Sequence, residues 1–173
     1  AESVAQVDRL AAMVNDVLRS GSIAEQALHQ EKRLRIDKLV TEVVDDYMLL
    51  AKTRSMTFTV NTEPTTIRVN RDMIRHIISN LVSNAVRHGD VGSVIKITCD
   101  QHELAIENAC KPLTKQQLQR VFDPFYRGSA TTKQHTDSSG IGLYTVKMLL
   151  DAKGLDYDFS PHGRGMRFVV RLN

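Results

Sequence analysis

The chain has 173 residues, 42% of them hydrophobic and 25% charged, with a formal net charge of +3 from 23 Lys and Arg against 20 Asp and Glu. That length suits one compact domain plus an extra element, since single domains run to roughly 100–150 residues; no apolar run approaches the ~18 residues of a membrane helix, and no basic-then-apolar secretion signature opens the chain. Its cations are dispersed and not interleaved with aromatics, which argues against a nucleic-acid partner, and Cys99 and Cys110 show neither a CxxC pairing nor His at metal-ligand spacing, so free thiols are expected.

Residues 1–20 place Val4, Val7, Leu10, Ala11, Val14 and Leu18 at steps of three and four, the narrow seam of a bundle helix. One such helix cannot bury its seam alone, so it belongs to something larger. Gly21 and Ser22 weaken it, and residues 24–33 could resume it. Arg33 to Ile36 reads as a short strand. Asp37 is expected to N-cap the next helix, whose apolar face carries Leu39, Val40, Val43, Val44, Tyr47, Met48 and Ala51. Ser55 to Asn61 alternates like a half-buried strand, Glu63-Pro64 turns the chain, and Thr66 to Val69 is a further strand.

Residues 72–88 carry Met73, Ile74, Ile77, Ile78, Leu81 and Ala85 on one helical stripe. Asn80 and Asn84 leave its flank side by side, one turn apart, with Arg87 and His88 a turn further on. Asn is a poor helix-interior residue, so two at this spacing need a reason. Two amides at the rim of a core would suffice for an isolated helix.

Gly89 to Gly92 closes that helix as a turn. Ser93 to Cys99 and Glu103 to Glu107 read as a hairpin joined by Asp100-Gln101-His102. Pro112 breaks the chain, and Leu113 to Phe122 is a short helix. Asp123 to Ser139 has no sustained period, which in a compact domain marks a functional loop such as a lid. Ile141 to Ala152 is a helix opened by Ser138-Ser139-Gly140. Leu155 to Phe159 and Gly165 to Leu172 are the last strands.

Three pieces carry chemistry together. Ser139-Gly140-Ile141-Gly142-Leu143 opens a helix, where free N–H groups and a positive dipole end suit phosphate and glycine admits close backbone approach. An Asn oxygen is a hard ligand that Mg²⁺ accepts beside phosphate oxygens and waters. Arg127 and Lys133, within a locally basic stretch over 111–133, could meet the phosphate charge. Taken singly, each of these has a plainer reading as turn glycines or solvated charges.

In this order and spacing the pieces resemble the ATP-binding catalytic domain of bacterial sensor histidine kinases, in the superfamily shared with gyrase, MutL and heat-shock chaperone ATPases. Asn80-Leu-Val-Ser-Asn-Ala-Val-Arg-His88 resembles that family's N box. Phe122-Asp-Pro-Phe-Tyr-Arg-Gly128 resembles its F box, and Ser139-Gly-Ile-Gly-Leu-Tyr-Thr-Val-Lys147 its second glycine box. The resemblance implies an α+β two-layer sandwich over residues 30–173, with a mixed sheet of about five or more strands against three main helices. A lid would span about residues 123–139, and residues 1–29 would be the second helix of a dimerisation hairpin. It implies an ATP site built from Asn80, Asn84, Arg87, His88, Asn108, Phe122, Phe125, Tyr126, Arg127, Lys133, Ser139, Gly140, Ile141, Gly142 and Leu143. Asn84 would hold Mg²⁺, Asn80 would line the phosphate channel, and Arg87 and His88 would border the triphosphate or ribose. Phe122 and Phe125 would anchor the lid. Related ATPases carry Glu where Asn80 stands. Asn cannot act as a general base, so ATP would be kept for transfer to a histidine instead of hydrolysed.

Two departures qualify the resemblance. The first glycine box falls on Asn108-Ala109-Cys110-Lys111-Pro112, in place of the family's Asp-x-Gly-x-Gly. Asn108 can still accept from adenine, without charge, at an expected cost of about 1 kcal/mol or less. The second is a missing phosphoacceptor. His29, His76, His88, His102, His135 and His162 all lie in the wrong context, so this chain is not expected to phosphorylate itself. The expectation is a piece of a homodimeric plasma-membrane receptor, working on its cytoplasmic side with its own dimerisation domain and a response regulator. The alternatives are a catalytically weakened nucleotide-binding module and an anti-sigma-type serine kinase of the same fold.

Overall fold

The computed structural model describes residues 21–22, 29–126 and 140–172. The seam helix expected over residues 1–20 therefore lies outside the described residues, as does most of the expected lid. In chain order the elements are β1 (Lys32–Arg35), α1 (Ile36–Thr53), β2 (Thr57–Thr62), β3 (Thr66–Val69), α2 (Arg71–His88), β4 (Val94–Cys99), β5 (Glu103–Ala109), α3 (Lys115–Arg120), α4 (Gly142–Lys153), β6 (Tyr157–His162) and β7 (Gly165–Arg171). Five strands form a sheet in the order β2-β4-β5-β7-β6. Only the β2–β4 pair is parallel, so the sheet is mixed, as expected. β1 and β3 pair separately, antiparallel, as a two-stranded ribbon.

Register decides which side chains meet the helices. Successive strand residues alternate faces. Ile97, Ile106, Phe168 and Phe159 share one row across four strands, and Cys99, Leu104, Val170 and Tyr157 share the next. Both rows belong to the buried core. The other face is polar: Arg167 pairs with Glu103 at 2.6 Å and lies 3.3 Å from Glu107, and Arg171 reaches Glu103 at 3.4 Å. One face dry and one wet is what a two-layer sandwich requires.

The helix layer covers the dry face with α2 between α1 and α4. The stripe on α2 is fully buried at Met73, Ile74, Ile77 and Ile78. Each such side chain contributes roughly 1.5–3 kcal/mol of burial. Asn70 caps its start, its side-chain oxygen accepting from the N–H groups of Asp72 and Met73 at 2.9 and 3.1 Å.

Two local expectations change. Asp37 is not the N-cap of α1; that position falls to Arg35, which makes no side-chain cap. Asp37 sits within the first turn, 8% exposed, accepting from Arg35 Nε at 2.8 Å and from the Thr65 N–H at 3.1 Å. It ties the start of α1 to Thr65, the residue before β3, instead of terminating a helix. The helix expected over 113–122 is only Lys115–Arg120, because Thr114 and Gln117 close a capping box at its start. Both cysteines are free.

Candidate functional site

The flank of α2 is where the structure places the paired amides. Asn80 and Asn84 are half-buried, not core residues. Asn80 donates Nδ2 back to the His76 carbonyl at 3.0 Å, which leaves its oxygen pointing outward. That oxygen meets the start of α4: a Cβ added to Gly142 would stand 3.1 Å from Asn80 Oδ1. The Asn84 amide has no hydrogen-bond partner among the described residues. Arg87 donates Nε to Ser83 Oγ at 3.2 Å, and His88 is exposed in the last turn.

The first N–H groups of α4 have no intrahelical partner, as at any helix start. Ile141 is 2% exposed and Leu143 packs on the core, so these two serve the site through backbone alone. Gly140 has φ +71, a conformation that L side chains rarely adopt. A Cβ there would also press to 3.0 Å on the Phe125 carbonyl carbon and the Tyr126 oxygen. Phe125, itself at φ 65, donates its N–H to the Gly140 carbonyl at 3.1 Å. Phe125 and Gly140 are thus joined directly through their backbones.

Phe122 and Phe125, both expected to anchor the lid, are placed differently. Phe122 packs edge-on against Tyr157, Phe159 and Phe168, with ring centroids 5.7–6.3 Å apart, which ties the segment to β6 and β7. Phe125 is 56% exposed. The Tyr126 ring lies 4.9 Å from the Arg120 guanidinium. Arg127, Lys133 and Ser139 lie outside the described residues.

Asn108 closes the opposite rim. It stands in register with Ile95 and Met166, the one amide in an otherwise apolar row of the dry face. Its neighbour Cys110 is half-buried, and burial pushes that thiol up, a hydrogen bond from the Asn108 side chain opposing the shift. Gly165 leaves room for this strand: a Cβ there would fall 2.0 Å from the backbone carbonyl oxygen of Asn108. The end of α2 docks on the same rim, through Asp90 N–H to Ala109 O at 2.8 Å.

Sequence reasoning missed Arg54. Its guanidinium donates to the carbonyls of Val86 and Arg87, and to that of Gly89 at 3.0 Å. Nothing local signals this, because the partners lie more than thirty residues away. Gly89, which opens the turn expected after α2, has φ −68, and the positive φ of that turn falls on Gly92 at 76. Gly89 is needed for space instead, since a Cβ would lie 2.5 Å from Met56 Cε and 2.6 Å from the Ala85 oxygen.

The site thus offers free helix-start N–H groups, two amides and a cationic end to α2, which together suit an extended polyanion carrying a planar base. No group of His, Cys, Asp or Glu among the described residues could hold a metal alone. Mg²⁺ would need Asn84 together with ligand oxygens and waters, a donor set it accepts. The clefts among Pro64, Thr65, Gln101 and Leu172 and beside Thr62 and Asp100 lie at the far end of the sheet and contribute none of these groups.

Residues 69–173 match the family described as histidine kinase-, DNA gyrase B- and HSP90-like ATPases. A sensor histidine protein kinase of Streptococcus pneumoniae is 30% identical over 173 residues, covering 99% of this chain and 39% of its own length. The chain therefore spans about two-fifths of that relative. The nucleotide-free catalytic domain of histidine kinase ThkA superposes with a TM-score of 0.72 at 23% identity, over 83% of this chain and 95% of that one. Full-length ShkA in complex with AMPPNP superposes with a TM-score of 0.78 at 22% identity, over 95% of this chain and 36% of that one. At these identities the solved structures share the fold.

Proposed function

This chain belongs to the family of histidine kinase-, DNA gyrase B- and HSP90-like ATPases, and from that membership we propose that it is the ATP-binding catalytic portion of a two-component sensor histidine kinase. The observation that carries the reading is the junction of α2 with α4. Gly142 admits the α4 start against the Asn80 amide, and the Asn84 amide, without a hydrogen-bond partner among the described residues, stands one turn further along α2. The base would lie at Asn108, and the phosphates would run along α2 toward the N–H groups at the start of α4. When bound, Mg²⁺ would neutralise phosphate charge through Asn84.

The step is a phosphoryl transfer. An imidazole nitrogen of a dimerisation helix outside this chain forms a bond to the γ-phosphorus. The bond to the β–γ bridging oxygen breaks, and ADP leaves with its electron pair. The imidazole proton passes to solvent. This chain's residues position the nucleotide and stabilise charge. Asn80 cannot accept a proton from water, which favours transfer over hydrolysis. The phosphoryl group would pass on to a response-regulator aspartate. The parent would be a homodimeric plasma-membrane receptor, this portion facing the cytoplasm where ATP is held.

A second reading, a nucleotide-binding module with weakened catalysis, is favoured by the uncharged Asn108 and by Pro112 in its bend. One experiment separates them. The chain is titrated with Mg-ATP, then mixed with a separate dimerisation domain carrying the acceptor histidine. Binding followed by acid-labile phosphate on that domain supports the kinase. Binding without transfer supports the module, and no binding removes both. Phosphate on this chain alone would overturn the missing-acceptor argument.

A further inference from the structure

We infer that Arg54 is a positioning residue for the nucleotide site, acting through the backbone of Arg87. The inference rests on the nucleotide reading above. α2 ends without a left-handed cap, because Gly89 is extended at φ −68. Its last carbonyls would project partial negative charge, equivalent to about half a charge for a helix C-terminus, toward the end that carries Arg87 and His88. That is a poor neighbour for a polyanion. Arg54 removes the problem from outside the helix. One guanidinium nitrogen donates to Val86 and Arg87, and the other to Gly89 at 3.0 Å.

The same residue fixes the turn beyond. The Gly92 N–H donates to the Arg54 carbonyl at 3.1 Å, and the Asp90 N–H donates to Ala109 on the Asn108 rim. Arg54 thus links the α2 end to the strand that would read the base. It touches no nucleotide itself. Its planar fork spans three carbonyls, which a Lys ammonium on a flexible stem does less well. The predicted consequence is selective: the phosphate-bearing ligand should feel the loss of Arg54 more than the base alone.

The test uses the chain with Mg²⁺ and two probes, ATP and adenosine, by calorimetry. R54Q should weaken ATP roughly five- to tenfold, the size of one ordinary hydrogen bond, and adenosine less than about twofold. R54K should recover part of the loss. In an R87A background, R54Q should still weaken ATP by a similar factor, because the backbone carbonyls that Arg54 holds remain when the Arg87 side chain is removed. Equal weakening of both probes, unchanged ATP binding, or loss of the R54Q effect in the R87A background would overturn the inference. If R54Q fails to fold, R54K read against both probes decides the same question. Failure of the unmodified chain to bind Mg-ATP would instead remove the nucleotide reading, and this inference with it.

Discussion

Gly142 and Asn80 are in such close contact that a single methyl group would disturb both: a Cβ on Gly142 would lie 3.1 Å from Asn80 Oδ1. One residue begins a helix and the other lies midway along its neighbour. Their contact sets how closely the free N–H groups of α4 approach the amide flank of α2.

Gly142→Ala should therefore separate function from stability. Ala is favoured over Gly by up to ~1 kcal/mol in a helix, less at its first position, so the melting temperature should hold or rise slightly. The methyl must push the Asn80 amide aside by a few tenths of an ångström. Mg-ATP affinity should fall several-fold, read by calorimetry. A variant that binds normally would show that this spacing does not matter to the ligand.

Asn84→Ala should abolish the Mg²⁺-dependent part of ATP binding and leave the fold intact. The amide has no partner to lose among the described residues, and Ala is the better helix former by roughly 0.5–0.7 kcal/mol. Titrations with and without EDTA, beside a urea melt, give both readings. If the variant unfolds, Asn84 is a structural rim residue after all.

Asp37 makes the fold acid-sensitive in a defined window. The Arg35 guanidinium holds its carboxyl down at about 2, below the ordinary 3.8, with the Thr65 N–H assisting. A lowered folded value means the carboxylate contributes stability that is complete above about pH 4 and lost as pH falls toward 2. Arg35 is partly exposed, so screening limits this to about 1 kcal/mol. Asp37→Asn should lower stability at pH 7 by that order and flatten the loss between pH 4 and 2. Urea midpoints at both pH values test it.

The cysteines should be slow toward iodoacetamide. Burial pushes the Cys99 thiol up to about 11, and burial raises Cys110 as well. At pH 8 almost no Cys99 thiolate exists, so its labelling should follow urea unfolding. Peptide mapping after labelling in rising urea reads this. Fast labelling of Cys99 in the folded protein would contradict the buried placement.

The amphipathic stripe of α2, the alternation of β4 and β5 and the glycine helix start were all legible in the chain, because each is a local periodicity. The candidate site was legible for the same reason: Asn80 and Asn84 announce a shared flank by being four residues apart. What was misread depended on distant partners. Asp37 has the identity of a cap, yet its carboxylate is claimed by Thr65, 28 residues on. Arg54 looks like an ordinary turn cation until α2 folds against it.

The sequence by itself determined the elements, the dry face of each and the motifs proposed to hold a ligand along α2. Only the tertiary structure decided how they meet. The strand order β2-β4-β5-β7-β6, with one parallel pair, arises when separate apolar faces are buried against a common helix layer. Gly140 and Gly142 look alike in the chain and differ in space, one needed for its φ of +71 and the other for room beside Asn80. Periodicity is written within a few residues, whereas a cavity, a close approach or a capped helix end exists only once distant segments compete for the same volume and the same hydrogen bonds.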